Sequence, residues 1–319
     1  MKLVLAAAEG EAFFGLLDEL RDEIGLEVVR ARTPAEVLAE VADADVLFGA
    51  PSADIVATGR NLRWIQASSA GVDFVTRLPE LVESEIVLTN TRGAHGPSIG
   101  EHVVALLLAL TRQIPACVGW QRRRHWGRPE AYRTVREIRG STMGIVGFGA
   151  IGRGVAQRAV GFELELLAVD AQAVDGDPYV AEVWPPSRLP DLLARSDTVV
   201  VAAPYTPETH HLFDAAMLAH MKPDAYLIAV SRGGIVVEED LVAALRASRL
   251  AGAALDVTEK EPLPADSPLW EAPNLLMTPH LAGASPAKEQ RCVEILRDNL
   301  RRFAQGEALV NVVDKRLGY

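Results

Sequence analysis

Gly147, Gly149 and Gly152 follow the apolar run Met143–Val146 with the spacing G-x-G-x-x-G. Glycines are common in turns, so the spacing alone says little. An apolar strand before it and a helical stretch after it say more. In that setting the first glycine makes a tight turn and the second lets a pyrophosphate approach the backbone. The third lets the helix pack close to the sheet. Free N–H groups at the helix N-terminus then attract the phosphates. Asp170 ends the next apolar run, Leu166–Val169, near the ~20-residue distance at which a carboxylate meets ribose hydroxyls. It repels a 2′-phosphate, and Ala171, Gln172 and Ala173 bring no cation to offset that. These residues predict a bound dinucleotide, NAD in preference to NADP.

Three ionisable residues fall at or just beyond the ends of other apolar runs, the edge at which open α/β sheets bind ligands. Arg232 follows Leu227–Val230, Glu261 follows a run ending at Leu255-Asp256, and His280 follows Leu275–Met277. Beside a nicotinamide they suit hydride transfer coupled to proton transfer. Reduction of a 2-keto acid needs a proton donor for the carbonyl oxygen and a cation for the carboxylate. Imidazole titrates near neutral pH, which makes His280 the acid. Glu261 within hydrogen-bond reach favours the charged imidazolium. Arg232 offers a fork of donors to grip the carboxylate and polarise the carbonyl. Taken singly, a His after a proline, a lone Arg and a Glu before Pro262 are ordinary loop residues.

The elements that must position these residues come in two alternating series. In the first, strands are predicted at Lys2–Ala7, Glu27–Ala31, Val46–Ala50, Trp64–Ala67 and Ile86–Leu88, with helices at Glu11–Glu23 and Pro34–Ala42. Thr33 and Pro34 supply a helix N-cap and a first helical residue. In the second, strands are predicted at Met143–Val146, Glu165–Val169, Thr198–Ala202, Ala225–Val230 and Gly252–Leu255. Helices at Gly149–Val160, Leu189–Arg195, Ala215–His220 and Glu238–Ala247 separate them. Short strands, apolar throughout and alternating with helices, predict parallel sheets covered on both faces. Between the series, Pro97–Arg112 is apolar nearly all round and predicts a buried helix. Pro286–Arg302 is helical by the spacing of Val293, Leu296 and Leu300, and needs a sheet to bury that face against.

The 319 residues, 49% hydrophobic and 24% charged, suit a soluble globular protein of two domains. A net charge of −11 repels phosphate backbones and argues against nucleic acid. No apolar run reaches the ~18 residues of a membrane span. Lys2 and the short run after it, closed by Glu9 and Glu11, make a first strand rather than a signal peptide. Two cysteines form neither a disulfide framework nor a zinc cluster, and predict a reducing, cytoplasmic setting. No metal site is expected: His210-His211 lack a third ligand at a suitable spacing.

Several blocks together resemble the D-isomer-specific 2-hydroxyacid dehydrogenase family. They are Gly144–Gly152, Ser231-Arg232-Gly233-Gly234-Ile235-Val236, the stretch from Ala254 to Pro264, and Thr278-Pro279-His280. The resemblance runs from about Thr89 to about Ser285 and more loosely beyond. It implies that Arg232, Glu261 and His280 form the active site. It implies two doubly wound α/β domains, with a Rossmann-type cofactor domain (97–285) inserted into a flavodoxin-like substrate domain (1–96 and 286–319). It places Ala203 and Pro204 at the adenosine, and Val230, Ser231 and Asp256 near the nicotinamide. The substrate carboxylate is implied to sit on backbone N–H groups of Ser69–Asp73, around Ala70 and Gly71, where glycine permits a nest-like turn. His95 and His102 lie near that loop in the family's layout.

Two departures matter. Many members carry Arg where this chain has Ala150 and Ile151, which removes one side-chain contact to the pyrophosphate. Many carry Phe where this chain has Thr258, a feature associated with the glyoxylate/hydroxypyruvate reductase branch. The length leaves no room for the regulatory domain of long phosphoglycerate dehydrogenases. Arg122-Arg123-Arg124-His125-Trp126 reads as an exposed face, and the resemblance puts it by a homodimer interface. The function expected is NAD-dependent interconversion of a small 2-keto acid and its D-2-hydroxy acid. The alternative is an NAD-sensing binding module of the co-repressor kind. Formate oxidation is disfavoured, because related formate dehydrogenases pair their His with an amide and not with a carboxylate such as Glu261.

Overall fold

The computed structural model describes residues 1–6, 11–172 and 177–319. The side chains of residues 11–14 and 16 lie outside the description, as do residues 7–10 and 173–176. The end of the first expected strand, at Ala7, and Ala173 beside Asp170 therefore fall outside the described residues.

Five strands form the first sheet: β1 (Lys2–Leu5), β2 (Glu27–Arg30), β3 (Val46–Phe48), β4 (Trp64–Gln66) and β5 (Val87–Thr89). All pair in parallel, in the order β2-β1-β3-β4-β5. Both faces are covered, as such strands require. Val4, Leu47 and Ile65 pack on one side, and Leu3, Leu5, Val46 and Trp64 on the other. The helix Pro34–Val41 starts with the capping box Thr33/Glu36, behind Pro34 at its first turn. The terminal helix Pro286–Gln305 is capped by Ser285 and closed by Gly306 at φ +70°. Its Val293, Leu296 and Leu300 join Leu3, Leu5, Leu17 and Leu20 in one core. Arg301 clasps Glu23 of the helix Glu11–Ile24 with two bonds of 2.8 and 3.0 Å. Residues Met1–His95 and Ser285–Tyr319 make up this unit, and Gly96–Ala284 the other.

The second unit holds seven strands: β6 (Thr142–Val146), β7 (Glu165–Val169), β8 (Val183–Trp184), β9 (Thr198–Val201), β10 (Tyr226–Ala229), β11 (Gly252–Leu255) and β12 (Leu275–Met277). They pair in parallel in the order β12-β11-β10-β9-β6-β7-β8. The order reverses at β6, so the loops leaving β6 and β9 flank a switch point, where such sheets bind ligands. Because every strand runs the same way, the residues that follow them collect along one edge.

The differences from expectation are local. The helix Gly96–Thr111 is not buried all round: Ile99, Val103, Leu106, Leu107 and Leu110 are buried, while Glu101 and Ala105 face solvent. Alanine at that position is tolerated on an exposed face, so apolarity alone overstates burial. The two-residue β8 was not expected, being too short to show alternation. The short helices Ala53–Thr58, Ile114–Arg122 and Arg128–Tyr132 also lie outside the sequence reading. Among the described residues, no single helix is long and apolar enough to cross a membrane.

Candidate active site

The glycine turn stands at the end of β6. Gly147 has φ +91°, and a Cβ there would lie 2.4 Å from the Ala203 nitrogen. Only glycine allows the turn to lie so close to the loop after β9. Gly149 is the N-cap of the helix Ala150–Ala159 and supplies no side-chain cap. Among the described residues nothing lies within 4 Å of where its Cβ would be. Gly152, in the first turn, packs against the Gly147 carbonyl, 2.3 Å from where its own Cβ would stand. An uncapped helix N-terminus, with Ala150 and Ile151 in its first turn and open space before it, fits a pyrophosphate.

Asp170 leaves β7 beside this turn. One carboxylate oxygen accepts the Phe148 N–H at 2.6 Å and the other the Gln172 N–H at 2.8 Å. Each oxygen keeps a second lone pair for a ribose hydroxyl. Asp170 thus also ties the glycine turn to β7. Ala203 is buried, and the Pro204 carbonyl accepts the Thr209 hydroxyl at 2.7 Å. At the end of β10, Val230 and Ser231 are buried. Among the described residues the Ser231 Oγ meets no hydrogen-bond partner, an orphaned polar atom of the kind a bound cofactor satisfies.

His280 and Glu261 are in contact: His280 Nδ1 lies 2.7 Å from Glu261 Oε2. The other Glu261 oxygen accepts the Thr258 N–H at 3.1 Å. The Thr258 hydroxyl donates to the Lys260 carbonyl at 3.0 Å, fixing the turn that aims Glu261. Arg232 follows β10, and its guanidinium donates to the Ser231 carbonyl at 2.8 Å. The loop carrying Arg232 is wedged against the loop carrying Glu261, for a Cβ on Gly233 would fall 1.9 Å from the Thr258 oxygen.

Asp256 directly follows β11. It is 2% exposed, and its carboxylate accepts the Thr278 hydroxyl and the N–H groups of Leu281 and Ala282. It holds the loop on which His280 stands.

The family model of the D-isomer specific 2-hydroxyacid dehydrogenase NAD-binding domain matches residues 104–282. A glyoxylate reductase of Thermofilum pendens is 36% identical over 280 residues, covering 86% of this chain and 80% of that enzyme. The chain belongs to the D-isomer-specific 2-hydroxyacid dehydrogenase family. A family protein from Aeromonas salmonicida superposes on the dehydrogenase with TM-score 0.87 at 33% identity, covering 98% of this chain and 99% of that one. A member from Xanthobacter autotrophicus, in complex with NADPH and MES, superposes with TM-score 0.84 at 30% identity, covering 99% and 100%. The cofactor domain of the dehydrogenase is an NAD-binding domain.

In the first unit, Ala70 and Gly71 lie in the loop after β4. Gly71 does not take a positive φ, so the nest-like turn expected of it is absent. Side chains shape the loop instead. The Ser69 hydroxyl donates to the Gly71 carbonyl at 2.9 Å, and Asn90 Nδ2 to the Ala70 carbonyl at 2.8 Å. Neither Ala70 nor Gly71 gives its backbone N–H to an acceptor among the described residues.

Sequence reasoning assigned no role to Thr278 and only a neighbourhood to His102. His102 Nε2 lies 3.0 Å from the Thr278 hydroxyl. The available signal was the Thr in Thr278-Pro279-His280, a hydroxyl two residues from the imidazole. A cavity of about 300 Å³ opens at the other edge of the second sheet, by Ile138, Arg139 and Glu163, before β6 and β7. None of the residues singled out above lines it.

Proposed function

We propose that this dehydrogenase reduces a small 2-keto acid, of the glyoxylate or hydroxypyruvate kind, to its D-2-hydroxy acid with NADH, or runs the reverse. The hydrogen bond of His280 Nδ1 to Glu261 carries the reading. It turns one ring nitrogen to a carboxylate and leaves Nε2, without a partner among the described residues, to give a proton to substrate. Bound NADH supplies the hydride. As the carbonyl oxygen gains charge, His280 gives it a proton and Arg232 stabilises it. Arg232 also grips the carboxylate.

Asp170 supports NADH over NADPH, because its charge meets a 2′-phosphate directly. Ala150 and Ile151 offer the pyrophosphate backbone N–H groups alone. Ala203 and Pro204 border the adenosine, while Val230 and Ser231 face the nicotinamide, with the Ser231 hydroxyl as a ready donor. The glyoxylate reductase relative and Thr258 support a small substrate. Exposed Ile114, Val118, Trp126 and Tyr132 support a homodimer. The test is initial-rate NADH oxidation with glyoxylate, hydroxypyruvate, pyruvate and 2-oxoglutarate, repeated with NADPH. Glyoxylate or hydroxypyruvate should give the highest kcat/KM, with NADH preferred. No turnover of any 2-keto acid would leave the dehydrogenase without the proposed role.

A further inference from the structure

His280 is held in a backbone conformation that its side chain does not favour. Its φ is +52°, in the left-handed region that residues with a Cβ enter at a cost. The restraint comes from Asp256. The His280 N–H donates to the Asp256 backbone carbonyl at 2.7 Å. The next two N–H groups, of Leu281 and Ala282, donate to the Asp256 carboxylate at 3.0 and 2.9 Å. That carboxylate is 1% exposed, so its orientation depends on every donor it has.

Its third donor is the Thr278 hydroxyl, 2.6 Å from Oδ1. A hydroxyl has one proton, and here Asp256 takes it. Towards His102 the Thr278 oxygen is therefore an acceptor, and the 3.0 Å contact requires a proton on His102 Nε2. The same nitrogen is 3.5 Å from Asp256 Oδ1, the only acidic group within salt-bridge distance of it among the described residues. The side chain of His102 is 16% exposed.

We propose that His102 is a positioning residue for His280. Its Nε2–H polarises the Thr278 hydroxyl towards Asp256, and the carboxylate so fixed holds the N–H groups on which the His280 turn depends. The inference rests on His280 being the proton donor. His102 itself touches neither substrate nor the reacting atoms in this role.

The test is steady-state reduction of glyoxylate and hydroxypyruvate by NADH, together with 15N chemical shifts of the His280 ring, assigned through His280→Ala. His102→Leu removes the donor, and Thr278→Val removes the hydroxyl at constant volume. Each should lower kcat ~10- to 100-fold through misplacement of the acid, leave the KM for NADH within about twofold, and move the ring signal. His102→Gln, which returns an N–H near the Nε2 position, and Thr278→Ser should recover most of the rate. The double variant should be little worse than either single one, because both break one chain of bonds. A packing role alone predicts lower melting temperatures with normal kcat, and no rescue specific to Gln. Wild-type kcat and an unmoved ring signal in His102→Leu overturn the proposal. Wild-type turnover in His280→Ala overturns the acid assignment instead, and the ring signal still decides whether His102 positions the loop.

Discussion

Gly233→Ala tests whether the Arg232 loop and the Glu261 loop work as one assembly. The added Cβ would stand 1.9 Å from the Thr258 oxygen, 2.1 Å from its carbonyl carbon and 2.5 Å from the Glu259 nitrogen. Those are backbone atoms, so no side chain can swing away. Ordinary non-bonded contact needs roughly 3.5 Å, so the two loops must part by more than ~1 Å. A displacement of that size at a reacting centre costs about 10²-fold, and here it moves Arg232 relative to the Glu261–His280 pair. Overpacking also costs ~1–3 kcal/mol, worth about 2–4 °C of melting temperature per kcal/mol in a unit of this size. The assay is NADH oxidation with glyoxylate, beside thermal melts and NADH binding by fluorescence. The kcat/KM should fall ~10²-fold while NADH affinity changes little, since the glycine turn is a separate loop. Gly161→Ala is the control, for among the described residues nothing lies within 4 Å of its Cβ position. Wild-type kcat/KM and melting in Gly233→Ala would refute the reasoning.

Asp170→Ala should weaken NADH binding and narrow the preference over NADPH, because it removes both the ribose acceptor and the partner of the Phe148 N–H; higher kcat/KM with NADPH in the unmodified enzyme would contradict the assignment. His280→Ala should lower kcat ~10²–10⁴-fold with NADH affinity kept, and a pre-steady-state measurement of hydride transfer separates that from slow release. Glu261→Leu should lower kcat with NADH affinity kept, because the ring loses the acceptor that turns Nδ1 away and aims Nε2; wild-type kcat in that variant contradicts the pairing. Burial pushes the Glu238 carboxyl above its ordinary range, with the neighbouring Glu259 charge adding to this and the Glu259 N–H opposing it. A raised carboxyl contributes stability below its unfolded value and loses it as pH rises through the folded value. Glu238→Gln, which keeps an acceptor for that N–H, should therefore melt higher than the parent at pH 7 and equally near pH ~4. Light scattering at micromolar concentration should give twice the 34.4 kDa chain mass; a monomer would contradict the proposed dimer.

The sequence by itself determined the local features. Apolar runs alternating with helical stretches required parallel strands buried on both faces. Residues standing just past those runs, such as Asp170, Arg232 and His280, had to fall at strand ends. Thr33 and Pro34 marked a helix start, because capping is decided within one turn. What only the tertiary structure decided is which strand ends become neighbours. The order β12-β11-β10-β9-β6-β7-β8 sets the loops after β10, β11 and β12 side by side, and no periodicity encodes that order. The buried Asp256 carboxylate meets the N–H groups of Leu281 and Ala282, 25 and 26 positions on, only through folding. Gly71 looked like a turn-former, yet the side chains of Ser69 and Asn90 shape its loop. His102 and Thr278 stand 176 positions apart and meet through one hydrogen bond. Spacing along the chain reports which face of an element a residue occupies. Which element that face meets is fixed by packing, through burial and hydrogen bonds summed over the whole unit.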